Sequence, residues 1–251
     1  MTVSYQLEPL MMAARLIALG LLLPLPVAAA DMSCGAATEA GITCACDVRT
    51  LRPLQGALGM EEVRDKVEKI ASRPKKEWRD LVADPIKVIQ GPGNALYITD
   101  HHHGADAWRL AGHPIALCKI DSRRTFATEA EFWSGLVRDR LVRLADADGK
   151  PLTPAQLPSS LEVMPDDPYR SLAWLVRKNN GFCRSEMPQK EFAEFLWADW
   201  LRKQPQLPPN AVRASAASVL PTALALARSP AAQVMPGYIS AGPAAFACLK
   251  N

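Results

Sequence analysis

Pro85-Ile86-Lys87-Val88-Ile89-Gln90, Gly91-Pro92-Gly93-Asn94, Ala95-Leu96-Tyr97-Ile98-Thr99 and Asp100-His101-His102-His103-Gly104 follow one another without a break in the middle of the chain. The first and third are short β-prone runs separated by a turn-rich tetrapeptide, which predicts a β-hairpin. The fourth is a polar loop. Helix-forming residues follow from Ala105 to Ala111, stopped by Gly112, and Pro114 to Ile120 reads as another strand. Strand, turn, strand, loop, helix, strand predicts an α/β (α+β) fold with a small mixed sheet and helices on it.

Upstream of this unit, Ile42 to Arg49 reads as an edge strand, Leu51 to Gln55 as a loop, and Met60 to Ser72 as a helix with Val63, Val67 and Ile70 on one side. Downstream the chain changes character. Thr128-Glu129-Ala130-Glu131 is a capping box opening a helix that runs toward Leu144. Asp167-Pro168 supplies an N-cap and a proline at the first position of a helix over Tyr169 to Asn179. Gln189 to Lys203 and Val212 to Arg228 predict two more. The expected division is a leader over 1–30, an α/β domain over 31–122 and an all-helical domain over 123–251.

The leader rests on Arg15, the apolar run Leu16 to Leu23, and Ala28-Ala29-Ala30 as a cleavage signal. The run is too short to cross a bilayer, so the expectation is an exported chain, periplasmic or secreted, beginning near Asp31. All six cysteines follow it: Cys34, Cys44, Cys46, Cys118, Cys183 and Cys248. In an oxidising compartment they allow up to three disulfides. Cys44 and Cys46 share a strand face and are expected to bond elsewhere rather than to each other; a Cys-x-Cys metal site lacks a second ligand pair. The net charge of +3, from 29 Lys and Arg against 26 Asp and Glu, neither requires nor excludes a polyanionic substrate. Basic patches with interleaved aromatics, the mark of avid nucleic-acid binding, are missing.

Candidate chemistry centres on Asp100, His101, His102 and His103, three histidines and a carboxylate where a strand end meets a helix start. Side chains converge on a cleft there, and free backbone N–H groups favour anions. Imidazoles near neutral pH can move protons, bind a metal or neutralise phosphate. The competing reading is a solvated turn. Glu62 and Lys66, four apart on the first helix, read first as a surface ion pair, and Gln55 as a helix cap or a ligand contact. Asp166-Asp167 could hold a cation, although Asp167 has work enough as an N-cap. Phe192, Phe195, Leu196 and Trp200 recur at helical spacing as core.

With the Asp-His-His-His loop placed in a hairpin–helix–strand unit, Leu51-Arg52-Pro53-Leu54-Gln55, Gly59-Met60-Glu61-Glu62-Val63 with Lys66, and Tyr97 to His103 with Ala107 resemble the ParB/sulfiredoxin superfamily. More narrowly the chain resembles its ParB-like nuclease branch, as do Asp166 to Leu172 and Glu194 to Arg202. The resemblance implies phosphate binding at the loop, and places Gln55, Glu62, Lys66 and Gly104 in a substrate cleft. Superfamily members act as CTP-dependent DNA-partitioning clamps, sulfinic-acid reductases or free-serine kinases. Where those proteins carry Gly-Glu-Arg-Arg or Gly-Cys-His-Arg, this chain has His101-His102-His103-Gly104, without the arginine or the cysteine. The expected activity is therefore a phosphodiester hydrolase acting on a phosphate-containing substrate such as nucleic acid, with a divalent metal as the conceivable cofactor. A nucleotide-using transferase and a non-catalytic anion- or metal-binding protein are the rivals.

Overall fold

The computed structural model describes residues 32–35, 37–123, 128–183 and 192–240. The proposed leader and Cys248 lie outside the described residues. Five strands form one mixed sheet in the order β1-β5-β3-β4-β2. They are β1 (Thr43–Asp47), β2 (Arg52–Pro53), β3 (Ile86–Gln90), β4 (Leu96–Asp100) and β5 (Ile115–Arg123). The expected hairpin is β3 and β4, paired antiparallel. β5 lies parallel to β3 and antiparallel to β1.

Eight helices accompany the sheet among the described residues: α1 (Met60–Ser72), α2 (Pro74–Ala83), α3 (His102–Leu110), α4 (Glu129–Arg138), α5 (Pro168–Lys178), α6 (Ala193–Arg202), α7 (Pro209–Ala214) and α8 (Leu220–Ala227). The period-2 alternation of strands sends side chains to two faces. Val88 and Ile98 go to one, packing with Val63 and Ile70 of α1 and Ala105 and Trp108 of α3. Ile89 and Tyr97 go to the other, where Phe132 and Leu136 of α4 cover them. The hairpin turn keeps Gly91 because a Cβ there would stand 2.6 Å from the Tyr97 ring and 2.7 Å from Phe132.

Helices α5 to α8 build a separate apolar cluster around Leu172, Val176, Trp197 and Leu201, in which Trp197 stacks on Phe182 at 4.5 Å. The Thr128 capping box and the Asp167 N-cap both form, Asp167 Oδ1 accepting from the amides of Tyr169 and Arg170. Several expectations are corrected. Leu51 to Gln55 is not all loop, since Arg52 and Pro53 pair with Tyr97 and Ile98 as a parallel edge strand. A helix absent from the expectation, α2, begins with Pro74 at its first turn. The helix from Glu129 stops at Arg138, with Arg140 in a left-handed conformation. The run Val212 to Arg228 is two short helices, because Ser215 is extended and Pro221 restarts the chain.

Cys44 and Cys46 bond away from each other, to Cys34 and Cys118; Cys183 is disulfide-bonded as well. Cys46–Cys118 ties β1 to β5 across 72 residues of chain, Cys34–Cys44 only 10. Chain-entropy scaling gives about 4 kcal/mol for the long loop and about 3 kcal/mol for the short one. Equilibrium denaturation should therefore find Cys46→Ala/Cys118→Ala less stable than Cys34→Ala/Cys44→Ala; the reverse order would show that loop entropy does not dominate here.

Candidate functional site

The end of β4 meets the start of α3 at His101, whose φ of 72° is a left-handed conformation uncommon for a side-chain-bearing residue. The reversal is pinned on both sides: the His101 amide donates to Asp100 Oδ1 at 2.7 Å, and His101 Nε2 lies 3.0 Å from Asp84 Oδ2, two residues before β3. His101 Nδ1 is buried and has no hydrogen-bond partner.

His102 and His103 belong to the first turn of α3 rather than to a loop ahead of it, and both are buried. The Leu54 amide donates to His102 Nε2 and the Gly59 amide to His103 Nε2, each at 3.1 Å. An imidazole that accepts at Nε2 carries its proton on Nδ1 and is uncharged. Burial pushes His102 down to about 3 against the pull of Asp100, and pushes His103 well below the ordinary imidazole value against the pull of Glu62. These two rings hold the segment between β2 and α1 onto α3.

Glu62 is not the surface residue its spacing suggested. Its side chain is 12% exposed, its Oε2 accepts from Arg170 Nη2 at 2.9 Å, and Lys66 stands 3.7 Å from its Oε1. Burial opposes the charge, but the cations of Arg170 and Lys66 outweigh it, so the carboxyl is held below the usual range. With His103 neutral, Arg170 and Lys66 are the counter-charges. Arg170 is itself 5% exposed, and its Nε and Nη1 have no partner. α5 reaches this position because Gly59 lets the chain pass close: a Cβ there would lie 2.9 Å from the Ser171 amide nitrogen.

These residues line one cavity of about 290 Å³. Asp100, His101, His102, His103, Gln55, Glu62, Lys66 and Gly104, all singled out in the sequence, meet there. Gln55 is buried, and its Nε2 donates to the Ala57 carbonyl rather than capping α1. The sequence reading missed Asp84, Thr99, Arg170 and Glu194 as members of the wall, and treated Phe192 and Phe195 as core although they also line it. For Arg170 a signal existed, since the Asp167-Pro168 cap sets it on the first turn of α5; for Asp84 none did. Asp166 Oδ1 accepts from the Met60 amide at 3.0 Å. Among the described residues no group of three or more His, Cys, Asp and Glu is placed to hold a metal ion.

The site thus sits on a mixed sheet, with a buried imidazole pair at a strand–helix junction and an arginine delivered from a following helix. Residues 44–203 match the family described as "Putative ParB-like nuclease", and the chain belongs to that family. The crystal structure of protein Atu1540 from Agrobacterium tumefaciens is similar, with a TM-score of 0.68 and 30% identity over 80% of this chain and 99% of that one. The C-terminally truncated chromosome-partitioning protein ParB from Caulobacter crescentus, complexed with CTP-gamma-S, aligns at 14% identity over 76% of this chain and 94% of that one; its TM-score of 0.28 adds nothing to the fold assignment. No curated protein matches the chain.

Two outcomes test this geometry. The unfolded chain protonates its histidines near the ordinary value of 6.5, whereas folded His102 resists protonation to about 3. The neutral ring's contribution is complete above pH 6.5 and is lost as pH falls from there toward 3. His102→Gln keeps an acceptor for the Leu54 amide without a proton to bind, so its stability measured by denaturation should fall less steeply over that window than the wild type's. Arg170→Met strands a buried carboxylate and should cost about 3 kcal/mol. Adding Glu62→Gln should recover most of that loss, and a double-mutant cycle with no coupling would rule out the pairing.

Proposed function

We propose that the chain is a phosphodiester hydrolase of the nuclease type, working at the cleft formed by Asp84, His101, Lys66 and Arg170. The observation that carries this reading is His101, held by Asp84 at a strained strand–helix junction in the same cavity as two cations. With Nε2–H directed to Asp84 Oδ2 and Nδ1 buried, His101 orients the exposed Asp84 carboxylate, which is the general base. A water gives its proton to Asp84 Oδ1 while its oxygen attacks phosphorus. The bond to the leaving oxygen breaks, and the Lys66 ammonium supplies that oxygen's proton.

The first-turn amides of α3 around Gly104 face the charge that builds on the phosphoryl oxygens, and the buried guanidinium of Arg170 adds its positive charge behind them. Asp100 positions His101 through its amide. His102 and His103, given proton-transfer roles from the sequence, are assigned here to positioning, because their Nε2 atoms are already used. A divalent ion would have to gather its ligands from Asp84, Asp100 and His101 on binding substrate.

Family membership supports a nuclease-like role, and the two disulfides with both partners described favour an oxidising compartment. No helix among the described residues is long and apolar enough to cross a membrane. We read the chain as exported behind the leader ending near Ala30.

The test is hydrolysis of DNA, RNA and bis(p-nitrophenyl) phosphate by the disulfide-bonded chain, with Mg²⁺, Mn²⁺ or Zn²⁺ and with EDTA. His101→Ala and Asp84→Asn should lose about a hundredfold or more in kcat, whereas His102→Gln should lose far less. Equal rates for wild type and His101→Ala, or no hydrolysis by either, would overturn the assignment.

A further inference from the structure

A second recess lies under α4, beside Tyr97 of β4. It has a volume of about 420 Å³, and its wall includes Arg52, Tyr97, Trp133, Pro154, Leu157 and Ser159. Strand alternation produces it: Ile98 turns toward α1 and α3, so Tyr97 turns the other way, under α4. The rings of Tyr97 and Trp133 meet edge to face at 5.8 Å and 89°, and Pro154 and Leu157 close the other side. Ring-shaped apolar ligands suit such walls, and the volume is within the range of small-molecule sites.

The polar groups specify the ligand further. Tyr97 is 4% exposed as a residue, and its hydroxyl makes no hydrogen bond among the described residues and is left open to solvent. Arg52, an exposed residue at the rim of the recess, lies with its guanidinium carbon 5.8 Å from the centre of the Tyr97 ring and makes no ion pair among the described residues. The acid on the wall, Glu129, accepts from Trp133 Nε1 at 3.2 Å and so fixes the indole. An unpaired guanidinium and an unpartnered phenol side by side present hydrogen-bond donors, and a guanidinium matches a carboxylate in charge and in planar shape.

We propose that this recess is a second binding site, separate from the histidine cleft, for a small planar carboxylic acid. The ring lies between Trp133 and the Pro154–Leu157 wall, and the carboxylate is held by Arg52 and the Tyr97 hydroxyl. The site does not depend on the hydrolase reading, since no residue of the Asp84–His101 pair takes part.

Binding of benzoate, with benzamide as the uncharged isostere and cyclohexanecarboxylate as the non-aromatic acid, would be followed by Trp fluorescence and by calorimetry on the full disulfide-bonded chain. Benzoate should bind about tenfold or more tightly than benzamide, the ratio expected for a charge-assisted pair. Arg52→Gln should remove that preference, and Tyr97→Phe, which keeps the ring packing, should weaken benzoate alone. Trp133→Leu should weaken both aromatic probes, while His101→Ala should leave all affinities unchanged; a thermal melt of each variant reports whether it is folded. The proposal is overturned if no probe binds, if benzamide binds as well as benzoate, or if His101→Ala changes binding as much as Arg52→Gln does. Tighter binding of cyclohexanecarboxylate than of benzoate would overturn the planar ligand.

Discussion

Two backbone amides, those of Leu54 and Gly59, donate to the Nε2 atoms of two buried imidazoles on the first turn of α3, and the shape of the cleft follows from that. The amides lie on the segment leaving the edge strand β2 and on the residue that begins α1. Their bonds fix α1 and the β2 edge against the end of β4. A buried amide without a partner is costly, as is a buried imidazolium. The arrangement is self-consistent only while both rings stay neutral, and their burial keeps them so. His101 differs: it sits outside this clamp, is left-handed, and has a carboxylate at one nitrogen.

The helical half contributes to the cleft as well as standing beside it. Arg170 at the start of α5 and Phe195 on α6 complete the wall, and Arg170 lies 5.3 Å above the Phe195 ring. A buried guanidinium needs a counter-charge, and Glu62, 108 residues earlier, supplies it. The pair joins the start of α1 to the start of α5, where Gly59 allows the two backbones to approach. Nearby, Asp167 both caps α5 and receives Arg202, which also binds Asp199, so the orientation of Arg170 is braced from α6.

A fold does not fix the chemistry done on it; the residues at its sites do. Here the junction carries an imidazole pair used for architecture, one imidazole poised by a carboxylate, and cations brought from two other helices. Acids are numerous in the same wall. Glu194, however, is turned toward Arg177 at 2.7 Å and Glu62 toward Arg170, so the carboxylates in the cleft are in good part already matched.

Much of this was legible in the sequence because it depends on short-range chemistry. Turn formers at Gly91 to Asn94 set the hairpin, Thr128 and Asp167 set two helix starts, and the spacing of Cys44 and Cys46 argued against their bonding to each other. The eight cleft residues named from the sequence converge because most sit on one strand–helix junction or on the helix packed against it. The sequence alone could not assign the histidines their different work: whether an imidazole accepts from an amide or faces a carboxylate depends on neighbours from distant segments. It likewise read Glu62 with Lys66, four residues away, because local spacing cannot reveal a partner on α5. Local propensity determined the elements and their order; burial and long-range pairing, which exist only once the chain is packed, decided which groups are charged, which are used up and which remain available to a ligand.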